Sequence, residues 1–330
     1  MRKRLTVEAY TQGIISGDRI ILSQAITLIE SKLKSDKLLA KLLLENILSF
    51  TGKSIRIGIT GVPGVGKSTF IETFGKHITS LNKKVAVLTI DPSSKKSGGS
   101  ILADKTRMEE LSRDSHAFIR PSASGLSLGG VARSTRETML LCEAAGYEVI
   151  LIETVGVGQS ETLVRGMSDF FLLLMLAGAG DELQGIKKGI MEMADAIVLN
   201  KTDGTNKVLA QQAAAEYQNA VHLFPKTDSG FITQVLTCSA MEGTGISSLW
   251  NVITAYQEFT LQNGYFNQNR QSQNLEWMHD YIRQALEEQF YESSMIRKAI
   301  LKSEIQVKNG TEHPVIAAER LLGLFFKKIE

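Results

Sequence analysis

Gly61-Val62-Pro63-Gly64-Val65-Gly66-Lys67-Ser68-Thr69 decides the fold of this chain, because it fits the pattern G-x-x-x-x-G-K-[ST] in a setting that gives the pattern physical meaning. Before it, Ile55, Ile57 and Ile59 alternate as in a strand; after it, the spacing predicts a helix over 70–81. A loop between a strand and a helix start turns several backbone N–H groups toward one anion, and the helix adds its positive end. In such a cradle, running from Gly61 through Val62, Pro63, Gly64, Val65 and Gly66 to Thr69, Lys67 reaches the β- and γ-phosphates and the Ser68 hydroxyl ligates Mg²⁺. A glycine-rich turn with an incidental lysine would not bring that flanking pattern with it.

Outward from this loop, apolar runs of strand length at 55–60, 84–90, 116–119, 149–153, 170–176, 196–200 and 234–238 alternate with helical stretches. That alternation predicts an α/β fold of the P-loop NTPase kind, a mostly parallel sheet with helices on both faces, over 53–261. Residues 1–52 read as a helical extension, since Leu22, Ala25, Ile26 and Ile29 form one stripe and Leu39, Leu42, Leu43 and Ile47 another. A closing helix spans 243–261. The Gln/Asn-rich stretch 262–274 then reads as a linker to a helical arm, 262–330, whose Leu275, Met278, Ile282, Leu286 and Phe290 recur three and four apart.

Two further motifs describe a base pocket. Asn200-Lys201-Thr202-Asp203 follows a strand end, where ligands of α/β sheets bind. Asp203 there accepts from the N1–H and exocyclic amine of guanine; adenine would set a lone pair against the carboxylate, and sites built on such bonds discriminate by about 10⁴ or more. Cys238-Ser239-Ala240, with Met241 next to it, closes the last strand and offers backbone N–H groups, chiefly that of Ala240, to the guanine carbonyl.

A metal and switch region is read from two strand ends and from a run thirteen residues beyond one of them. Glu153-Thr154-Val155-Gly156 places a carboxylate for the Mg²⁺ shell and a glycine N–H for the γ-phosphate. Val157 occupies the position where Ras-like GTPases carry the water-orienting glutamine, so slow hydrolysis is expected unless Gln159 or a partner substitutes. Asp91 and Asp104 each stand where a carboxylate enters the Mg²⁺ shell through water, or caps a helix.

Composition narrows the class. The chain has 330 residues, with 37 basic and 35 acidic side chains, so no strong field draws it to nucleic acid or an anionic membrane. Two cysteines, Cys142 and Cys238, are too few for a disulfide framework or a thiolate metal site. The basic start Met1-Arg2-Lys3-Arg4 leads into no apolar h-region, and the apolar run 170–180 is shorter than the ~20 residues of a span. The expectation is a cytoplasmic protein.

These pieces together resemble the MeaB-like GTPases, chaperones of adenosylcobalamin-dependent methylmalonyl-CoA mutase formerly labelled arginine/ornithine transport ATPases. The likeness rests on Gly61 to Thr69, Asp91-Pro92-Ser93-Ser94, Ser97-Gly98-Gly99-Ser100-Ile101-Leu102, Asp104-Lys105-Thr106-Arg107-Met108, Glu153-Thr154-Val155-Gly156-Val157-Gly158-Gln159-Ser160-Glu161 and Asp181-Glu182-Leu183-Gln184-Gly185-Ile186-Lys187-Lys188-Gly189. It implies GTP and GDP as ligands, Mg²⁺ held by Ser68, Asp91, Asp104 and Glu153, a homodimer through the C-terminal arm, and an acyl-CoA mutase as partner. The loop 178–188 resembles a third switch, in which Lys187 or Lys188 would stabilise transition-state charge or meet the partner. Ala103 stands where glycine is commoner. Asp114-Ser115-His116 resembles the start of a cobalamin motif, but Ile119 fills its glycine position, so the cobalamin belongs to the partner.

Two other readings fit less well. A nickel-type metallochaperone GTPase would cluster N or S ligands near its switches, whereas His77, His116, His222, His279 and His313 are scattered. A transport ATPase would need adenine in a pocket that Asp203 makes hostile to it.

Overall fold

Seven runs of Ile, Val, Leu and Phe become seven strands: β1 (Ile55–Gly61), β2 (Val85–Ile90), β3 (Ala117–Arg120), β4 (Val149–Thr154), β5 (Phe170–Leu176), β6 (Ala196–Asn200) and β7 (Gln234–Thr237). The computed structural model describes residues 4–90, 108–121, 128–154, 160–177 and 188–326. Within them the strands form one sheet in the order β3-β2-β4-β1-β5-β6-β7, and every neighbouring pair is parallel. The expected "mostly parallel" sheet is therefore wholly parallel among the described residues. Both faces are covered, which is why β1, β2, β4 and β6 are buried along their whole length and read as near-continuous apolar runs.

One face carries α4 (Lys67–Ser80), α9 (Lys207–Val221) and α10 (Ile246–Gln262), whose Phe70, Phe74, Tyr217, Leu249 and Trp250 share a core with Ile55, Ile57 and Ile59. The other face carries α1 (Val7–Ile15), α2 (Arg19–Ile29), α3 (Lys34–Ile47), α6 (Leu128–Ala144) and α7 (Ser160–Arg165). The N-terminal helices thus serve as part of a sheet-covering layer: Tyr10, Ile14, Leu22, Ile26, Leu43 and Ile47 bury against Leu88, Leu141, Ile150 and their neighbours. Thr6 and Asp18 start α1 and α2 by accepting bonds from Ala9 N–H and from Ile20 and Ile21 N–H. Two single-turn helices, α5 (Glu109–Arg113) and α8 (Lys188–Glu192), complete this part of the chain.

The chain divides into two compact units, Met1–Gln271 and Ser272–Glu330. Within 262–274, read from the sequence as a linker, Tyr265 opens a continuous helix, α11 (Tyr265–Glu292). Asn263 accepts from Tyr265 N–H at 2.9 Å, and Arg270 ties the second turn of α11 to the first unit, donating to both carboxylate oxygens of Asp169 at 2.7 and 2.6 Å. The second unit contains the rest of α11 with α12 (Ser294–Lys308) and α13 (Pro314–Phe326). Phe290 meets Phe325 edge to face at 5.3 Å there, and Arg320 donates to Glu312 and to the Ser303 hydroxyl. Leu275, Met278, Ile282 and Leu286, the predicted stripe, are exposed in the single chain. Among the described residues no helix is long and apolar enough to cross a membrane.

Candidate functional site

β1 lies at the middle of the sheet, between β4 and β5, and its carboxyl end delivers the chain into the loop before α4. Gly61 has φ +155°, and a Cβ there would sit 2.4 Å from the Leu174 carbonyl oxygen of β5. No side chain fits that approach. Gly64 and Gly66 adopt φ +78° and +89°, the left-handed region that favours glycine, and α4 begins directly at Lys67, three residues before the predicted start.

Three amine and amide groups grip the carbonyls of this loop. Lys67 Nζ donates to Gly61 O at 2.8 Å, Lys201 Nζ to Gly64 O at 2.8 Å, and Asn200 Nδ2 to Val65 O at 2.9 Å. The predicted P-loop and the predicted base motif, far apart in sequence, are thereby one site. With these carbonyls held, the loop's N–H groups, apart from that of Val65, which donates to Val62 O at 3.3 Å, are left for an anion. Burial lowers the Lys67 pKa, and the charges of Glu153 and Glu161 oppose that shift. An incoming phosphate would act in the same direction as those carboxylates and draw the ammonium off its own loop.

Asn200 also organises the base side. Its Oδ1 accepts from Ala240 N–H at 3.2 Å and from the Cys238 thiol at 3.4 Å, while Thr202 N–H donates to Cys238 O at 3.2 Å. The Ala240 N–H, expected to serve guanine, is thus already engaged and would have to be shared. Lys201 takes φ +60°, which turns the chain so that Asp203 opens the short turn Gly204–Asn206 without a side-chain capping bond. Burial pushes the Cys238 thiol up to about 12, so it packs as a small apolar group rather than a nucleophile. The loop after β7 is closed by Ser239 N–H to Thr244 O at 3.1 Å, and Gly245 at φ +78° lets the backbone pass where a Cβ would lie 2.3 Å from Thr237 O.

On the phosphate side, Ser68 stands in the first turn of α4 and Glu153 is buried at the end of β4, paired in register with Ile59 and Thr89. Both are hard oxygen donors of the kind Mg²⁺ takes, in small number and with waters. Asp91, Asp104 and Gln159 lie outside the described residues; Lys188 begins α8, and its side chain lies outside them too. Among the described residues no three His, Cys, Asp or Glu gather as a transition-metal cluster would require. Asp114 accepts from His116 N–H at 2.8 Å, so Asp114-Ser115-His116 is a local turn before β3.

Contacts that sequence reasoning missed are all long-range. The Thr60 and Thr154 hydroxyls meet at 3.0 Å, joining the carboxyl ends of β1 and β4. Thr73 Oγ1 donates to Ala240 O at 2.7 Å. The sole sequence signal for Thr73 is its place on the helix that starts at Lys67.

Residues 22–295 match the family described as "Methylmalonyl Co-A mutase-associated GTPase MeaB". The chain is 45% identical over 314 residues to GTPase ArgK of Escherichia coli, covering 95% of each protein. It is 44% identical over 333 residues to the mitochondrial methylmalonic aciduria type A homolog of Mus musculus, covering 98% of this chain and 80% of that one. A crystal structure of a protein described as a LAO/AO transport system kinase superposes with a TM-score of 0.76 at 37% identity, over 98% of this chain and 99% of that one. With a phosphate loop and a base motif locked together in one site, and with these likenesses running nearly end to end, the chain is a P-loop GTPase and belongs to the MeaB family of methylmalonyl-CoA mutase-associated GTPases.

Proposed function

We propose that this GTPase attends an adenosylcobalamin-dependent acyl-CoA mutase, methylmalonyl-CoA mutase in the first instance, and that its nucleotide state gates cofactor loading and protects the mutase. The observation that carries the reading is the family match over residues 22–295, whose members are described by their association with that mutase. In the site, Lys67 would neutralise the β- and γ-phosphates, Asp203 would read the guanine edge, and Ser68 and Glu153, with Asp91 and Asp104, would hold Mg²⁺. When bound, that ion neutralises phosphate charge. The chain's own residues orient the nucleotide: the P-loop amides hold the phosphates, and Asn200 keeps the base loop against the P-loop through Val65 and Ala240.

Val157 leaves the water-orienting position without a glutamine. Order in the hydrolytic step would then come from Gln159, from Lys188, or from the mutase. The exposed stripe Leu275, Met278, Ile282 and Leu286 supports a homodimer through the arm, since contiguous apolar helix faces are covered in working proteins. The test is steady-state GTP hydrolysis by the purified protein, with ATP as control, with and without a purified adenosylcobalamin-dependent mutase. Slow GTP turnover rising severalfold with the mutase is expected. Turnover indifferent to the mutase would move the protein to another client.

A further inference from the structure

In the guanine reading of the pocket, the loop after β7 offers two backbone N–H groups to the base carbonyl, those of Ala240 and Met241. Ala240 N–H is spent on Asn200 Oδ1 at 3.2 Å. Met241 N–H makes no hydrogen bond among the described residues. A trans peptide is planar, with its C=O and N–H pointing in opposite directions. Whatever grips the Ala240 carbonyl therefore also aims the Met241 N–H. The group that grips it is Thr73, on the second turn of the helix that begins with Lys67, at 2.7 Å.

We propose that Thr73 is a positioning residue for base recognition: its hydroxyl anchors the Ala240–Met241 peptide and so points the Met241 N–H at the six-position oxygen of guanine. The helix that carries the phosphate lysine then sets the base readout as well. The second possible acceptor of the Thr73 hydroxyl, Thr69 O in its own helix, is farther, at 3.1 Å. One proton serves one strong bond, and the shorter one crosses to the base loop.

This inference rests on the guanine reading of the pocket, and the experiment separates the two. Affinities of GDP and of the 2,6-diaminopurine riboside diphosphate, which replaces the six-position oxygen by an amine and with it loses the N1–H that Asp203 would accept, are measured for the full chain and for Thr73→Val and Thr73→Ser. Valine keeps the shape and the methyl and removes the hydrogen bond. The expected result is a GDP affinity about three- to tenfold weaker in Thr73→Val, the range of one hydrogen bond, an unchanged affinity for the diaminopurine nucleotide, and recovery in Thr73→Ser. Equal losses for both nucleotides would make Thr73 a merely structural residue, and no loss would remove it from recognition; either overturns the proposal. A wild-type protein that does not distinguish the two nucleotides would overturn the guanine reading itself, and this proposal with it.

Discussion

Lys67 and Asp203 are proposed to meet opposite ends of the nucleotide, and their environments differ accordingly. Lys67 is half-buried and held in place by its own loop through Gly61 O; burial lowers its pKa, and the charges of Glu153 and Glu161 oppose that shift. Lys67→Ala is expected to lower GTP hydrolysis by at least about 100-fold with an unchanged circular dichroism spectrum and melting profile, because no core packing depends on the ammonium. A folded variant with normal turnover would refute its role. Asp203 makes no capping bond to the turn it opens, which leaves its carboxylate available to a base. Asp203→Asn is expected to weaken GTP binding by about 100-fold or more while xanthosine triphosphate binds better than GTP, since an amide can donate to the extra carbonyl of xanthine. Retained GTP preference in a titration would remove Asp203 from the pocket.

At the scale of elements, the least expected feature is the start of α11. Its sequence, rich in Gln and Asn, carries the composition of a linker, yet Arg270 fixes it to the amino-terminal edge of the sheet. The guanidinium donates to Asp169, to Gly52 O at 2.8 Å and to Ser54 O at 2.6 Å, and lies 4.4 Å from the Phe266 ring centre. Asp169 is committed in turn, accepting from Arg56 N–H at 2.8 Å. Because the pair is buried, with side-chain exposures of 11% and 1%, Arg270→Ala strands a carboxylate and should destabilise the Met1–Gln271 unit by about 3 kcal/mol. Chemical denaturation checks this, and a loss below about 1 kcal/mol would mean that the contact is incidental. Nothing in the local sequence announces this bond, since its partner lies on the loop before β5.

For the whole molecule, the pH response is set in part by Asp195 at the foot of β6. Burial pushes its carboxyl up to about 6, and the charge of Arg165, 3.8 Å away, offsets only part of that shift. An unfolded chain ionises the same group near its ordinary value of 3.8. Between those limits the folded state holds the proton more tightly, so this group's contribution is fully present at low pH and is lost as pH rises from about 4 through 6. The loss amounts to roughly 3 kcal/mol at most. Asp195→Asn keeps an acceptor for Phe171 N–H, which now donates at 2.8 Å, and should flatten the difference in melting temperature across that window. Parallel pH profiles for variant and wild type would show that Asp195 ionises normally. Carboxylates such as Asp36, held low by its hydrogen bond from Arg4, have the opposite slope in more acidic solution, so the comparison between variants isolates Asp195.

Local pattern in the sequence is enough to mark the strands and the glycine-rich turn before Lys67: burial on both sheet faces demands unbroken apolar runs, and a cradle for phosphate demands glycines at fixed places before a lysine. It also determined that the first 50 or so residues are helical, through stripes whose period is set within a few turns. Tertiary structure decided what the local pattern does not encode. It made the N-terminal helices a layer over the sheet, converted 265–274 from apparent linker to helix through Arg270, engaged the Ala240 N–H with Asn200, and brought Thr73 to the Ala240 carbonyl. In each case the deciding force is a hydrogen bond, ion pair or apolar contact between residues distant in the chain, and no local spacing rule records such a pairing.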